Sequence, residues 1–316
     1  NWKLEPAAPS SRVKALDGRF GLGGVRLVPL RAGARLSVTL SHPKGSAPAA
    51  DKPSLAVSPG AATAEEGMVR WTVVAAAGAT GARLDLQAGA EQGTLTLEAP
   101  GAGGVASPQV QELTAPRGEP FHLTSRQGDA QVLGVYAEYQ TPGVVLDTLG
   151  VNGARLATLR AWDEDTFVEL LSQRAPSLVL FVYGTNEVYD IDDVSRFGRD
   201  LEDVMRRVRR ALPEVDCAVL GVPDVGRGGA AASQRAGELA DVQRQSAEAQ
   251  GCAFFDTFDA MGGPDAFETW AAAEPALATK DGVHFASAGY RRLGQLTQQW
   301  LWQQLGVAES PQDSKK

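Results

Sequence analysis

LVLFVYGTNEVYD, residues 178–190, runs from a stretch of apolar residues straight into a glycine, an amide and acidic side chains. An apolar run without polar alternation marks a strand covered on both faces, as in a parallel sheet. The pattern recurs. GVVLDTLGV at 143–151, AVLGV at 218–222 and AFFDT at 253–257 read as further strands of the same kind. Helical periods lie between and after them. Phe167, Leu170 and Leu171 mark one, and Phe197, Leu201, Val204, Met205, Val208 and Leu212 line one face of the next. A helix-like segment surrounds 231–249, and Leu293, Leu296, Trp300 and Leu305 give a C-terminal amphipathic helix. Strand and helix in alternation predict an α/β domain with a parallel sheet over 139–308, followed by a disordered tail at 309–316.

Working towards the amino terminus, the period changes. VRLVPL, ARLSVTL, RWTVVAA, ARLDLQA, GTLTLEA, FHLTS and QVLGVYAEY are short alternating segments separated by stretches rich in Gly, Pro, Ser and Ala, such as SHPKGSAPAADKPS. They predict an all-β sandwich or jelly roll over 1–138. GRFGLGG at 18–24 has the look of a phosphate loop, but Arg26 stands where a dinucleotide fingerprint needs its third glycine, so a turn into a strand is expected there.

Composition narrows the function classes. A chain of 316 residues is long enough for two domains. Thirty basic against 38 acidic residues leave a net charge of −8, and the one basic run, RRVRR at 206–210, falls inside an amphipathic helix, so nucleic acid is not an expected partner. The longest apolar stretch, WTVVAAAGA at 71–79, is too short for a membrane span. Cys217 in DCAVLGV and Cys252 in GCAFFDT each precede a strand-like run. If those strands are neighbours the thiols can pair, which would imply an oxidising compartment such as a periplasm. Two unbonded buried thiols are the equal alternative.

In a doubly wound sheet the functional groups lie beyond the carboxyl ends of the strands. LGVNGAR at 149–155, YGTNEVYD at 183–190 and DGVHFASAGY at 281–290 occupy such positions. Singly, Gly153 is a turn glycine, Asn186 a helix cap and Asp281 another cap. Together, a glycine turn, a strand-end amide and an Asp-x-x-His before the last helix can supply two oxyanion donors, a base and the carboxylate that orients it. Asp224, in VPDVGRGG, lies on the same edge as a candidate substrate contact, with a simple turn role as its alternative. His42 and His122 have no metal-ligand neighbours at useful spacing, and neither metal nor cofactor is expected. Trp300 and Trp302 read as helix packing.

These blocks resemble the SGNH or GDSL-type serine hydrolases over roughly residues 132–305. YGTNE at 183–187 is similar to the family's third block, GVNGAR to the second and DGVHFASAGY to the last. The resemblance implies a flavodoxin-like three-layer sheet with His284 as general base, Asp281 as its partner, and Gly153 and Asn186 as the oxyanion hole. Glu187 replaces the usual aspartate of the third block, a variation associated with carbohydrate and peptidoglycan acetylesterases, and is a further candidate substrate contact. The first block is missing: no GDS and no G-x-S-x-G occurs, and Ser287 is placed for the last helix start rather than as a nucleophile. The long β-rich stretch ahead of Gly153 resembles a carbohydrate-binding-module-like insertion between the serine and glycine blocks. On that basis the chain, which begins at Asn1, is expected to lack an upstream segment carrying the first strand and the serine. The implied activity is periplasmic or secreted serine esterase action on acetylated polysaccharide. A serine-less carbohydrate-binding protein, or a lipase or arylesterase of the same fold, is the alternative.

Overall fold

Long strands rather than many short ones organise the amino-terminal part of the molecule. The structure is a computed structural model that describes residues 2–6, 19, 22, 25–38, 40, 67–102, 104–151, 153–190 and 193–306. SHPKGSAPAADKPS and the tail at 309–316 lie outside the described residues, as does most of GRFGLGG, after which a strand begins at Val25. Over the described residues the chain divides into two compact units. One runs to Val151 and takes in Asp165–Leu170, and the other holds 153–164 and 171–306.

The first unit contains an antiparallel sheet of β1 (Trp2–Pro6), β2 (Val25–Pro29), β3 (Arg35–Val38), β4 (Met68–Ala88), β5 (Glu91–Leu97), β6 (Gln109–Pro116) and β7 (Phe121–Tyr139). RWTVVAA and ARLDLQA, expected as separate strands, are one strand, β4, and FHLTS and QVLGVYAEY are likewise joined in β7. The glycines between them bend the chain without reversing it. Ala77 pairs with Ala130 and Ala82 with Gly128, so residues 78–81 bulge opposite Asp129, whose carboxylate accepts the Ala79 N–H at 3.1 Å. Either side of the bulge the partners change: β6 pairs with residues 68–75 of β4, and β5 with residues 82–88. The sheet folds over at this bend. Trp71 from one half stacks on Phe121 from the other with ring centroids 5.0 Å apart, and both rings are buried. The expected pair of sheets is therefore one hydrogen-bonded sheet whose two longest strands pass through both layers. β6, QVQELTAP, was not among the segments read as strands. Its alternation is weak because its first half is exposed.

The second unit contains a parallel sheet ordered β10-β9-β8, built from β8 (Leu178–Phe181), β9 (Asp216–Leu220) and β10 (Ala253–Phe255). Its helices are α1 (Leu156–Arg160), α3 (Val194–Ala211), α4 (Gly229–Ala249), α5 (Thr257–Met261), α6 (Ala266–Ala271) and α7 (Ser287–Gln304); α2 (Glu164–Arg174) begins and ends here but lends Asp165–Leu170 to the first unit. Helices cover both faces, because side chains alternate along a strand: Phe254 lies under Arg244 of α4, and Phe255 meets Trp300 of α7 at 5.4 Å. The periodic stripe of α3, Phe197 to Val208, is buried throughout. A disulfide joins Cys217 and Cys252, at the start of β9 and just ahead of β10.

One apolar run is not a strand. Residues 143–151 form no strand of either sheet; Val144 is 93% exposed and Leu146 74%. A parallel strand needs a neighbouring strand to satisfy its N–H and C=O groups, and this segment is not paired as a strand in either sheet. The correction is physical: hydrophobicity nominates a strand, but pairing makes one.

Candidate active site

DGVHFASAGY becomes a tight turn followed by the start of α7. Asp281 Oδ1 accepts the N–H groups of Val283 (2.8 Å) and His284 (2.9 Å), and Oδ2 lies 2.7 Å from His284 Nδ1. The Thr279 hydroxyl also reaches Asp281 Oδ1 at 2.7 Å. These donors, the two backbone N–H groups first, hold the Asp281 carboxyl well below the usual carboxylate range. An ionised acceptor on Nδ1 fixes the imidazole as the Nδ1–H tautomer and leaves Nε2 as the basic nitrogen. Nε2 hydrogen-bonds none of the described residues. The ring is 70% exposed.

The rest of the motif anchors this pair. Gly282 has φ +77°, and its carbonyl accepts both Gly226 N–H and Arg227 N–H at 2.9 Å. A Cβ there would lie 2.4 Å from Arg227 N, so only glycine permits the approach. Phe285 is buried among Phe267, Trp270 and Tyr290, with centroid distances of 5.6–5.9 Å. Gly289 lets the first turn of α7 sit on Leu277, whose carbonyl oxygen would be 1.9 Å from an added Cβ.

The loop after β8 and the loop that carries Gly153 are tied together. Asn186 Nδ2 donates to the Ala154 carbonyl at 3.0 Å. Glu187, which opens the 3-10 turn Glu187–Tyr189, accepts Leu156 N–H on one oxygen (2.9 Å) and Gly184 N–H on the other (3.2 Å). Gly153 is exposed with φ +73°, and its carbonyl accepts a guanidinium N–H of Arg155, which also pairs with Asp190. Glu187, expected as a candidate substrate contact, is only 5% exposed, and both its oxygens are engaged by backbone. Burial pushes its carboxyl up, with the Leu156, Glu187 and Gly184 N–H groups opposing. Asp224 is likewise turned inward. It is wholly buried, with one oxygen accepting from Ser233 Oγ (2.6 Å) and the other from Phe267 N–H (2.8 Å). Neither side chain is offered to a ligand; each holds a loop in place.

Three contributors were not read from the sequence. Gln243 of α4, wholly buried, accepts Val222 N–H at 2.7 Å and donates to the Tyr183 carbonyl at 2.8 Å, clamping the segments that leave β8 and β9. Arg227 lies over the Tyr189 ring, 4.1 Å from its centroid. Burial raises the Tyr189 hydroxyl pKa, Arg227 opposes this, and the charges of Asp281 and Asp224 add to it. Tyr189 thus brings the turn after Asn186 into the electrostatic reach of the Asp281–His284 turn. Tyr189 and Arg227 sit inside motifs already noted, YGTNEVYD and VPDVGRGG, but nothing in their spacing marks the contact between them. No three His, Cys, Asp or Glu side chains cluster as a metal site among the described residues, and no described helix is long and apolar enough to cross a membrane.

A charged carboxylate, a tautomerically fixed imidazole, and an amide beside a positive-φ glycine are groups from which an acyl-transfer site can be built. No curated protein matches this chain in sequence. Among solved structures it is similar to one of a peptidoglycan O-acetylesterase, at 24% identity and TM-score 0.72 over 98% of this chain and 77% of that one. It is also similar to a lipase/acylhydrolase from Enterococcus faecalis (22% identity, 45% of this chain, 69% of that one, TM-score 0.33). A third is a carbohydrate esterase family 3 protein from Talaromyces cellulolyticus (18% identity, 47% of this chain, 70% of that one, TM-score 0.34). The first of these carries the SGNH hydrolase fold. The model of the GDSL-like lipase/acylhydrolase family matches residues 113–292, more than half of the chain, and this protein belongs to that family.

Proposed function

We propose that this chain forms the base, oxyanion and scaffold part of a serine esterase that removes acetyl groups from a polysaccharide such as peptidoglycan. The observation that carries it is the Asp281–His284 pair, at 2.7 Å, with Nε2 free of protein partners among the described residues. The nucleophilic serine comes from a segment outside this chain. Its hydroxyl proton passes to His284 Nε2 as Oγ attacks the acetyl carbonyl, and the charge on the carbonyl oxygen is met by Gly153 N–H and Asn186. One N–H of the Asn186 amide is engaged by Ala154 O, leaving the other to donate. Collapse of the intermediate expels the sugar hydroxyl, which takes the proton from His284. Water then repeats the attack on the acyl-enzyme and releases acetate.

The disulfide between Cys217 and Cys252 supports a periplasmic or secreted location, and the likeness to a peptidoglycan O-acetylesterase supports the acetyl-polysaccharide class. A non-catalytic carbohydrate-binding protein is favoured by one observation, that no described hydroxyl hydrogen-bonds His284 Nε2. Labelling every polypeptide of the native preparation with a fluorophosphonate, followed by mass spectrometry, separates the two. A label on a serine-bearing segment, with acetate release that Asn186→Ala lowers by about 10²–10³ in kcat, is the expected result. No label and no acetate release from a folded preparation would leave only the binding protein.

A further inference from the structure

The outer face of the folded sheet carries a second concentration of polar chemistry, wholly within the β-rich unit and unrelated to the His284 turn. Along β3, β7, β4 and β5 the side chains alternate. Leu84, Leu86, Leu95, Phe121 and Leu123 point inward and are buried, while Arg35, Thr124, Asp85 and Thr94 form one outward row in register. Ser37, His122, Gln87 and Gln92 form the next. The register shift between Arg83 and Leu84 helps curve the sheet, and the outward face encloses a concavity of about 600 Å³.

Charge in this concavity is unbalanced. Among the described residues Arg35, Arg83 and Arg126 line it with a single carboxylate, Asp85. Asp85 Oδ2 accepts from Arg126 Nε at 2.6 Å and Oδ1 lies 3.5 Å from Arg83 Nε, which orders both guanidiniums while about half of each side chain stays exposed. Arg35 ion-pairs with none of the described residues. Burial and the Arg35 charge lower the pKa of His122, which therefore adds no counter-charge of either sign at neutral pH. In a chain of net charge −8, three guanidiniums around one carboxylate among the described residues of a concave face give a local positive excess that suits an anion. Guanidinium forks match carboxylates bidentately. Gln87, Gln92 and Thr124 supply the neutral donors and acceptors that suit hydroxyls. Among the described residues the imidazole of His122 is the only ring in the lining, so they offer little of the base stacking that holds single-stranded nucleic acid. The lining meets a ligand through side chains that stand off the sheet face, whereas an extended peptide added as a strand would pair with backbone along an edge such as β3 or β5.

We propose that the concave face of β3, β7, β4 and β5 binds an acidic oligosaccharide, with a sugar carboxylate at Arg35, Arg83 and Arg126 and hydroxyls at Gln87, Gln92 and Thr124. The site stands apart from the esterase reading and survives its failure.

Calorimetric titration of the full chain with tetragalacturonate, with neutral chitotetraose and with inorganic phosphate tests it. Tetragalacturonate is expected to bind at least about 10-fold more tightly than chitotetraose, to weaken by about that factor in Arg35→Gln, and to weaken again on raising the salt. Backbone amide NMR shifts should fall on these four strands, a readout that does not depend on any variant folding. Equal affinity for the two sugars, unchanged affinity in a folded Arg35→Gln chain, shifts elsewhere, or no binding at millimolar sugar each overturn the proposal. Phosphate that displaces the sugar at equal concentration overturns the sugar assignment in favour of a simple anion site.

Discussion

Asp281 and Glu187 are two carboxylates on loops of the same α/β unit, and the fold moves their pKa values in opposite directions. Asp281 has a side chain 50% exposed and accepts from the backbone of Val283 and His284, the His284 ring and the Thr279 hydroxyl, so its charged form is favoured. Glu187 is buried, and its backbone donors do not offset the loss of water, so its charged form is disfavoured. The number of donors matters less than whether solvent remains. Exposed Asp281 is free to act on the ring of His284, whereas Glu187 and the still deeper Asp224 act on the backbone of loops.

That contrast can be broken by substitution, beginning with the largest effect. His284→Ala in the complete esterase is expected to lower kcat by at least about 10³-fold while leaving the urea midpoint unchanged, since its ring is exposed; activity near the parent's would remove His284 as the base. Asp224→Ala should do the converse and destabilise by about 2–4 kcal/mol in urea unfolding, because it orphans the buried Phe267 N–H and the Ser233 hydroxyl. A midpoint shift below the error of the measurement would show that Asp224 is no staple.

Glu187→Gln should destabilise by about 1–3 kcal/mol, since the amide NH₂ must face either Leu156 N–H or Gly184 N–H. It also changes the pH dependence. With its folded pKa raised above the ordinary 4.5, Glu187 contributes stability that is full below that value and lost as pH rises through the folded pKa. The parent's stability should therefore fall over that window, and the Gln variant's should not. Asp281 has the opposite sign. Its contribution is present above its ordinary 3.8 and lost as pH falls below it, so Asp281→Asn should flatten the acid limb alone, the smallest of these effects. Acid limbs that superimpose would show that the Asp281 charge is not linked to folding.

The legibility of the fold differs between two similar apolar runs. LVLF at 178–181 and VVL at 144–146 are both wholly apolar, yet the first pairs with β9 and the second lies exposed outside both sheets. Periodicity identified α3 and α7 because a helix satisfies its own backbone within its own sequence. In the β-rich unit it divided RWTVVAA from ARLDLQA, because register and bulges depend on partners far along the chain: residues 78–81 between them bulge opposite Asp129 within one strand.

The site was legible where chemistry and geometry are local. Asp281 and His284 are three residues apart, and one turn is enough to join Nδ1 to Oδ2. The sequence by itself therefore determined the Asp281–His284 contact, the Gly153 and Asn186 loops as neighbours, and the alternation of strand and helix. Only the tertiary structure decided that Glu187 and Asp224 face inward, that Gln243 clamps the segments beyond two strands, that Cys217 and Cys252 meet, and that polar residues from four strands share one concave face. The physical reason is range: a turn's hydrogen bonds are chosen by its own few residues, whereas burial and cross-strand pairing are chosen by whatever the rest of the chain brings alongside.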